Sequence, residues 1–142
     1  MRKKIYKKSE KIGFSDITSQ GMPFYGGNVI YKTEIDVPDS NLKIRINRYR
    51  GALVKVYFDG KESGNIVYPP YTLKIENVSQ GKHVVEFKVF GNRVNTFGPI
   101  HNSTKNKWTG PTSWYTNDYE WSYEYEPKPM GIISSPVIEV YR

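Results

Sequence analysis

The side chains best suited to acid–base catalysis at neutral pH are the two histidines, His83 and His101. A hydrolytic triad would also need a nucleophile and an orienting carboxylate, yet the sequence has no cysteine and no Gly-x-Ser-x-Gly turn. His83 follows the turn sequence SQGK at the start of a strand-like run, so we expect it to be exposed. Neither histidine has a partner in the sequence to activate, and we predict no catalytic residue.

A run of carboxylates in the last quarter of the chain offers a second route to catalysis. It consists of Asp118, Glu120, Glu124 and Glu126. Glycosidases place two carboxylates across the bond that they cleave, so this run contains the right groups. Acids spread through a tyrosine-rich segment more often keep a loop solvated, however, and we do not predict glycosidase activity.

Aromatic residues are concentrated between Ile100 and Met130, a stretch with little alternation of polar and apolar residues. They are Trp108, Trp114, Tyr115, Tyr119, Trp121, Tyr123 and Tyr125. A sugar packs its apolar C–H face on a flat ring and pairs its hydroxyls with planar polar groups. Carbohydrate binding is therefore one interpretation. The other is that the rings form a small core that holds this long segment onto a sheet, and the sequence leaves both open.

The candidate carbohydrate-binding residues combine rings with nearby polar side chains. The rings are Trp108, Trp114, Tyr115 and Trp121, and the polar candidates are Asn95, His101, Asn102 and Asn117. Arg48 and Arg50 lie beyond the end of a strand-like run, where either could reach a sugar or a carboxylate, and we include Arg50 in the candidate site. Solvated surface is the alternative for both arginines. Asn95 and Gly98 also suit a turn, glycine through its freedom at positive φ.

The elements that must position these residues are strands. Segments with apolar residues at every second position recur between Gly, Pro, Asn and Asp, and no window keeps the spacing of an amphipathic helix. In NLKIRINRY, for example, Leu42, Ile44 and Ile46 alternate with Lys43 and Arg45. Short antiparallel strands without helical crossovers predict an all-β fold, either a two-sheet sandwich or a barrel.

Turn signals divide these strands. PDSN joins the first two runs, NVIYKTEIDV and NLKIRINRY, and suggests that they pair as antiparallel neighbours. Asp59-Gly60 predicts a tight hairpin, because both central residues of that turn need positive φ. Pro69 and Pro70 indicate an edge or a bend. The final run, SPVIEVYR, predicts that the end of this chain joins a sheet.

Several motifs in this order resemble one protein family. They are GMPFYGGNVIYKTEI, YRGALVKVYFDGKESGNIVYPPYTLKI, GKHVVEFKVFGNRVNTFGPIHN, WTGPTSWY and GIISSPVIEVY. Together they are similar to the galactose-binding-like β-sandwich domains appended to bacterial glycoside hydrolases, such as the sugar-binding domain of family 2 enzymes and the C-terminal domains of rhamnosidase-like enzymes. One departure is Asp59, where the family often has Asn.

The resemblance implies an antiparallel jelly-roll β-sandwich over residues 21–142, with residues 1–20 as a basic N-terminal tail or linker. It further implies a non-catalytic accessory domain. The implied partners are carbohydrate or the catalytic domain of a glycoside hydrolase. Such a domain either is part of a larger enzyme or acts alone. A protein-interaction module that never binds sugar is the alternative. The resemblance implies no cofactor, although domains of this type often hold a structural calcium ion, which takes oxygen ligands.

Charge and hydropathy bear on other partners. The formal net charge is +7, but six basic residues and one Glu lie within residues 1–11, leaving 15 basic and 13 acidic residues elsewhere. A basic tail on a near-neutral body is usually a solvated terminus, so we predict no nucleic-acid partner. No apolar run approaches the ~20 residues that span a bilayer, and we expect no signal peptide and no membrane partner. Localisation is left open.

Overall fold

We describe the fold from a computed structural model in which residues 11–38, 40–103, 109–116 and 119–141 are described. The chain divides into two compact units. The sandwich unit comprises the described residues within Gly13–Asp16, Gly27–Asn92 and Met130–Arg142. The aromatic unit comprises those within Met1–Ile12, Ile17–Gly26 and Arg93–Pro129. Residues 1–10 of the predicted basic tail lie outside the described residues, so the division at residue 20 stays a prediction.

Strands supply almost all regular structure of the sandwich unit. They are β1 (Val29–Val37), β2 (Ser40–Arg45), β3 (Tyr49–Arg50), β4 (Val54–Phe58), β5 (Lys61–Ile66), β6 (Thr72–Val78), β7 (Gly81–Val89), β8 (Gly131–Ile132) and β9 (Val137–Tyr141). All pairings are antiparallel. The strands form a four-stranded sheet in the order β1-β7-β4-β5, a three-stranded sheet in the order β6-β2-β9, and the short pair β3-β8.

The core lies between the two larger sheets. One cluster joins Val37 of β1 to Leu42 of β2 and Val78 of β6, with Phe58 of β4 packed against it. The predicted alternation is confirmed on β2, where Leu42 and the Ile44 two positions on are fully buried. Because side chains alternate across a strand, β2 and β7 each bury one face against the opposite sheet. The chain is therefore an antiparallel β-sandwich, which confirms the fold class and selects the sandwich over the barrel.

The pairing of the first two strands was predicted wrongly. β1 pairs with β7, whereas β2 pairs with β6 and β9, so the two strands around PDSN belong to different sheets. Alternation of polar and apolar residues identifies the buried face of a strand and carries no information about which strand lies beside it. The connection from β1 to β2 therefore crosses from one sheet to the other, and the two strands do not form a hairpin.

Two turn predictions are confirmed. Asp59 has φ 48° and Gly60 has φ 77°, and they join the paired strands β4 and β5. Pro69 and Pro70 lie between β5 and β6, which belong to different sheets, so the chain bends there as expected. The final strand, β9, pairs with β2 and confirms that the chain joins the sheet through Tyr141.

The aromatic unit has little regular structure in its described part. It contains one helical turn, α1 (Val94–Phe97), one 3₁₀ turn (Pro111–Trp114) and an isolated antiparallel bridge between Asn102 and Trp121. This agrees with the weak periodicity of the segment from Ile100 to Met130. In the described part of the chain, no helix has the length and hydropathy to span a membrane.

Candidate functional site

Asn95 fastens the two ends of the long aromatic segment. Its Nδ2 donates to the carbonyl oxygen of Lys128 at 2.7 Å, and the Lys128 N–H donates to Asn95 Oδ1 at 2.7 Å. The side chain is only 3% exposed. Both ends of the amide therefore serve the backbone of a residue 33 positions away, and the geometry does not favour Asn95 as a sugar ligand.

The turn after Asn95 is built differently from the sequence prediction. Gly98 has φ −80°, so it is not there for positive φ. Its N–H donates to the Val94 carbonyl oxygen at 2.7 Å, and a Cβ at this position would overlap that oxygen. Arg93 takes the left-handed conformation instead, with φ 59°. Close packing of the helical turn, and not backbone freedom, accounts for the glycine.

His101 is held by a neighbouring stretch of backbone. Its Nδ1 lies 2.8 Å from the Ser122 carbonyl oxygen, and the Ser122 N–H donates to the His101 carbonyl oxygen at 2.7 Å. Because a carbonyl only accepts, we assign the hydrogen to Nδ1, which leaves Nε2 as an acceptor in the neutral ring. The imidazole stacks on Trp121, with ring centroids 5.2 Å apart and an interplanar angle of 18°.

A cavity of about 180 Å³ lies beside this histidine. Its described lining consists of Gly98, Pro99, Ile100, His101, Ser113, Trp114, Thr116 and Trp121. Two indole rings and the apolar Pro99 and Ile100 offer non-polar surface, whereas the imidazole and two hydroxyl side chains offer hydrogen bonds. Apolar walls with a few polar groups are typical of small-molecule sites. We call this cavity the aromatic pocket.

The structure brings together three of the predicted site residues, His101, Trp114 and Trp121, in the aromatic pocket. Tyr115 follows the 3₁₀ turn and is exposed, but it is not part of the described lining. Arg50 belongs to the sandwich unit, where it lies exposed on β3 opposite Gly131. Trp108 lies outside the described residues.

Asn102, another polar candidate, is not part of the described lining of the pocket. Asn102 is buried and its amide donates to the Ser113 carbonyl oxygen at 3.4 Å, which is a long hydrogen bond. Asn117 lies outside the described residues, as does Asp118 of the acidic run. The described residues include no group of three or more His, Asp or Glu side chains placed to hold a metal ion. Structural calcium stays a prediction.

Sequence reasoning missed the role of two further rings. Tyr125 packs on His101 with centroids 4.6 Å apart, and Phe24 meets Tyr125 edge-on at 4.9 Å. Tyr125 was visible as part of the aromatic segment. Phe24 had no such signal, because it lies more than 70 positions before His101 and only the fold places it in the aromatic unit.

His83 is buried, which corrects the prediction that it is exposed. It is 9% exposed, its Nδ1 lies 2.7 Å from Asp59 Oδ2, and its Nε2 lies 2.8 Å from the Ser79 carbonyl oxygen. The hydrogen bond that His83 Nδ1–H donates to Asp59 raises the pKa of His83, and the same bond lowers the pKa of Asp59. The pair joins the β4–β5 turn to the start of β7 within the sandwich unit.

No protein-family model and no curated protein matches this chain. Among solved structures, a rhamnosidase from Novosphingobium sp. PP1Y matches with a TM-score of 0.63 and 19% identity, over 88% of this chain and 12% of that one. A GH2 beta-galacturonidase from Eisenbergiella tayi, bound to glycerol, matches with a TM-score of 0.50 and 20% identity, over 68% of this chain and 17% of that one.

These similarities concern the fold alone, because the identities are low. They show that the chain is a β-sandwich that resembles a small part of a glycoside hydrolase. The sequence resemblance predicted this similarity, and the type of domain stays a prediction. The chain spans about an eighth of the rhamnosidase chain that it matches. A shared fold does not carry a shared function, which has to be argued from the site.

Proposed function

We propose that this chain is a non-catalytic accessory domain of a glycoside hydrolase and that it binds carbohydrate in the aromatic pocket. The observation that carries the proposal is the meeting of His101, Trp114 and Trp121, from three separate stretches of chain, around one cavity. The similarity of the fold to a small part of two glycoside hydrolases supports the accessory role.

The chemistry of the pocket suits a sugar ring. The C–H face of a pyranose is apolar and packs on an indole, and Trp114 is 53% exposed, so its ring has surface to offer. His101 Nε2 can accept a hydrogen bond from a sugar hydroxyl, and the hydroxyl side chains of Ser113 and Thr116 can donate or accept. The site therefore provides stacking and hydrogen bonding together.

Calorimetric titration with a panel of neutral saccharides tests this proposal. We expect saturable binding by the unmodified protein and about tenfold weaker binding after Trp114→Ala, since the upper range for a stacked ring, about 1.4 kcal/mol, corresponds to a factor of ten. The matched control is Tyr68→Ala, which removes an exposed aromatic ring of the sandwich unit and leaves the aromatic pocket unchanged.

Two results would contradict the proposal. One is the absence of saturable binding across the panel by a protein that melts cooperatively. The other is hydrolysis of nitrophenyl glycosides by the pure protein, which would show that the chain is itself catalytic.

A protein-docking or bracing role is the second candidate. It is favoured by the aromatic side chains that the aromatic unit exposes outside the pocket, notably Phe97 and Tyr119. Exposed aromatic surface often marks a protein interface. This candidate predicts no sugar binding, together with saturable binding to a glycoside hydrolase catalytic domain that Phe97→Ala or Tyr119→Ala weakens.

A further inference from the structure

Five aromatic rings of the aromatic unit form a connected series. Contacts link them in the order Phe24, Tyr125, His101, Trp121 and Tyr123. Successive ring centroids lie 4.9, 4.6, 5.2 and 4.5 Å apart. We call this series the ring strip.

The ring strip is continuous with the aromatic pocket and extends beyond it. His101 and Trp121, in the middle of the strip, also line the pocket. At the two ends, Phe24 is 41% exposed and Tyr123 is 80% exposed. The strip therefore offers rings that a single sugar held in the pocket would not cover.

Backbone contacts hold the rings in place before any ligand arrives. The Thr96 hydroxyl donates to the Phe24 carbonyl oxygen at 2.9 Å, and the Glu126 N–H donates to the Ile100 carbonyl oxygen at 2.6 Å. With the paired backbones of His101 and Ser122, these bonds join the three stretches of chain that carry the rings. A pre-ordered surface loses less entropy on binding. Weak stacking of several sugars on several rings can therefore sum to a measurable affinity.

The pocket alone is small for a ligand of several sugar rings. Its volume of about 180 Å³ lies below the roughly 300–1,000 Å³ that is usual for drug-sized ligands. A longer ligand that enters the pocket must therefore continue over the surface outside it. The ring strip is the aromatic surface that adjoins the pocket.

Charge indicates which kind of chain would bind. The stretch from Tyr119 to Pro127, which carries three of the five rings, contains Glu120, Glu124 and Glu126 and no lysine or arginine. Carboxylates along this stretch would repel an acidic polysaccharide. An uncharged chain does not meet that penalty.

We propose that the ring strip and the aromatic pocket together bind an extended, uncharged glycan chain, with one sugar in the pocket and the following sugars on the strip. This rests on the proposed function, since it names the ligand class of the same site. Stacking outside the pocket makes affinity depend on chain length, whereas binding in the pocket alone does not.

The test is a calorimetric titration with matched neutral series, from mono- to tetrasaccharide, of the cello-, xylo-, manno- and galacto-oligosaccharides. In the series that binds, we expect the tetrasaccharide to bind about tenfold or more tightly than the monosaccharide. Tyr123→Ala should remove most of that gain, because it lowers the affinity for the tetrasaccharide more than the affinity for the monosaccharide. Trp114→Ala should weaken every member, and Tyr68→Ala should weaken none.

An acidic series provides the test of charge. Oligogalacturonides should bind more weakly than neutral galacto-oligosaccharides of equal length, and Glu124→Gln with Glu126→Gln should narrow the difference. Both substitutions change exposed side chains, and the melting temperature of the double variant shows whether the fold is kept.

The outcomes separate this inference from the proposed function. Equal affinity for mono- and tetrasaccharide, or a length gain that survives Tyr123→Ala, would overturn the role of the ring strip and leave pocket binding intact. Tighter binding of the acidic series would overturn the uncharged ligand class. No saturable binding by any saccharide would overturn both proposals.

Discussion

At the scale of single residues, the surroundings of His83 favour its protonated form. Its two ring nitrogens each face an oxygen that can only accept, namely a carboxylate oxygen of Asp59 and the carbonyl oxygen of Ser79. The protonated ring, with a hydrogen on each nitrogen, satisfies both acceptors. The ring also stacks on Phe58, and the carboxylate of Asp36 adds a favourable charge.

This geometry predicts a pH dependence of stability. The pKa of His83 is raised from its ordinary 6.5, so the stabilising contribution is complete below that pH and is lost as pH rises through the raised pKa. The pKa of Asp59 is lowered from 3.8, so its contribution is present above that pH and is lost as pH falls through the lowered pKa. The pair stabilises most between these two ordinary values.

Chemical unfolding at a series of pH values measures this effect. We expect the free energy of unfolding to decrease above pH 6.5 in the unmodified protein and to decrease less in His83→Gln, which cannot titrate there. Asp59→Asn, which keeps the turn and removes the charge, should flatten the profile in the same way. Parallel profiles for all three proteins would show that folding does not raise the pKa of His83.

Asn95 gives a second prediction at this scale. Asn95→Ala would remove both hydrogen bonds to the Lys128 backbone, each worth about 0.5–1.5 kcal/mol, so we expect a loss of about 1–3 kcal/mol in the free energy of unfolding. The exposed Asn65 on β5 is the matched control, for which Asn→Ala should change little. Equal effects of the two variants, measured by urea unfolding, would contradict the fastening role of Asn95.

At the scale of elements, alternation in the sequence predicted the buried faces of the strands. Ile44 of β2 lies in the centre of its sheet, between β6 and β9, and is fully buried. Strand neighbours could not be predicted the same way, because a buried face fits against many possible partners. That is why the buried face of β2 was predicted correctly and its pairing with β1 was not.

The two faces of β2 should differ in how much a substitution lowers the free energy of unfolding. We expect Ile44→Ala to lower the free energy of unfolding by about 2–5 kcal/mol, because it leaves a cavity in the core. Lys43→Ala, on the outer face of the same strand, should change it by no more than about 0.5 kcal/mol. Similar losses in both variants would show that β2 does not divide a core from a solvated face.

For the candidate site, the sequence located the rings and not their arrangement. The concentration of tryptophans and tyrosines between Ile100 and Met130 marks the segment whose Trp114 and Trp121 line the aromatic pocket. Contacts over long separations decided the rest: Phe24 joins through Tyr125, and Asn95 is used by the Lys128 backbone. Composition cannot report such contacts, because they depend on how distant segments meet.

At the scale of the whole molecule, the fold and the site carry different information. The fold resembles a small part of a rhamnosidase at 19% identity, which shows that the sandwich is shared and says nothing of the ligand. The aromatic pocket and the ring strip belong to this chain's own side chains. The proposed carbohydrate-binding function is therefore tested at this aromatic surface and not by the similarity of the fold.

Calorimetric titration of the neutral oligosaccharides with the unmodified protein and with Trp114→Ala tests this claim most directly. Trp114 is well suited because it lines the pocket and is half exposed, so its removal should not disturb the core. We expect saturable binding that becomes about tenfold weaker in the variant. Saturable binding of equal affinity in both proteins, or no binding by the unmodified protein, would contradict it.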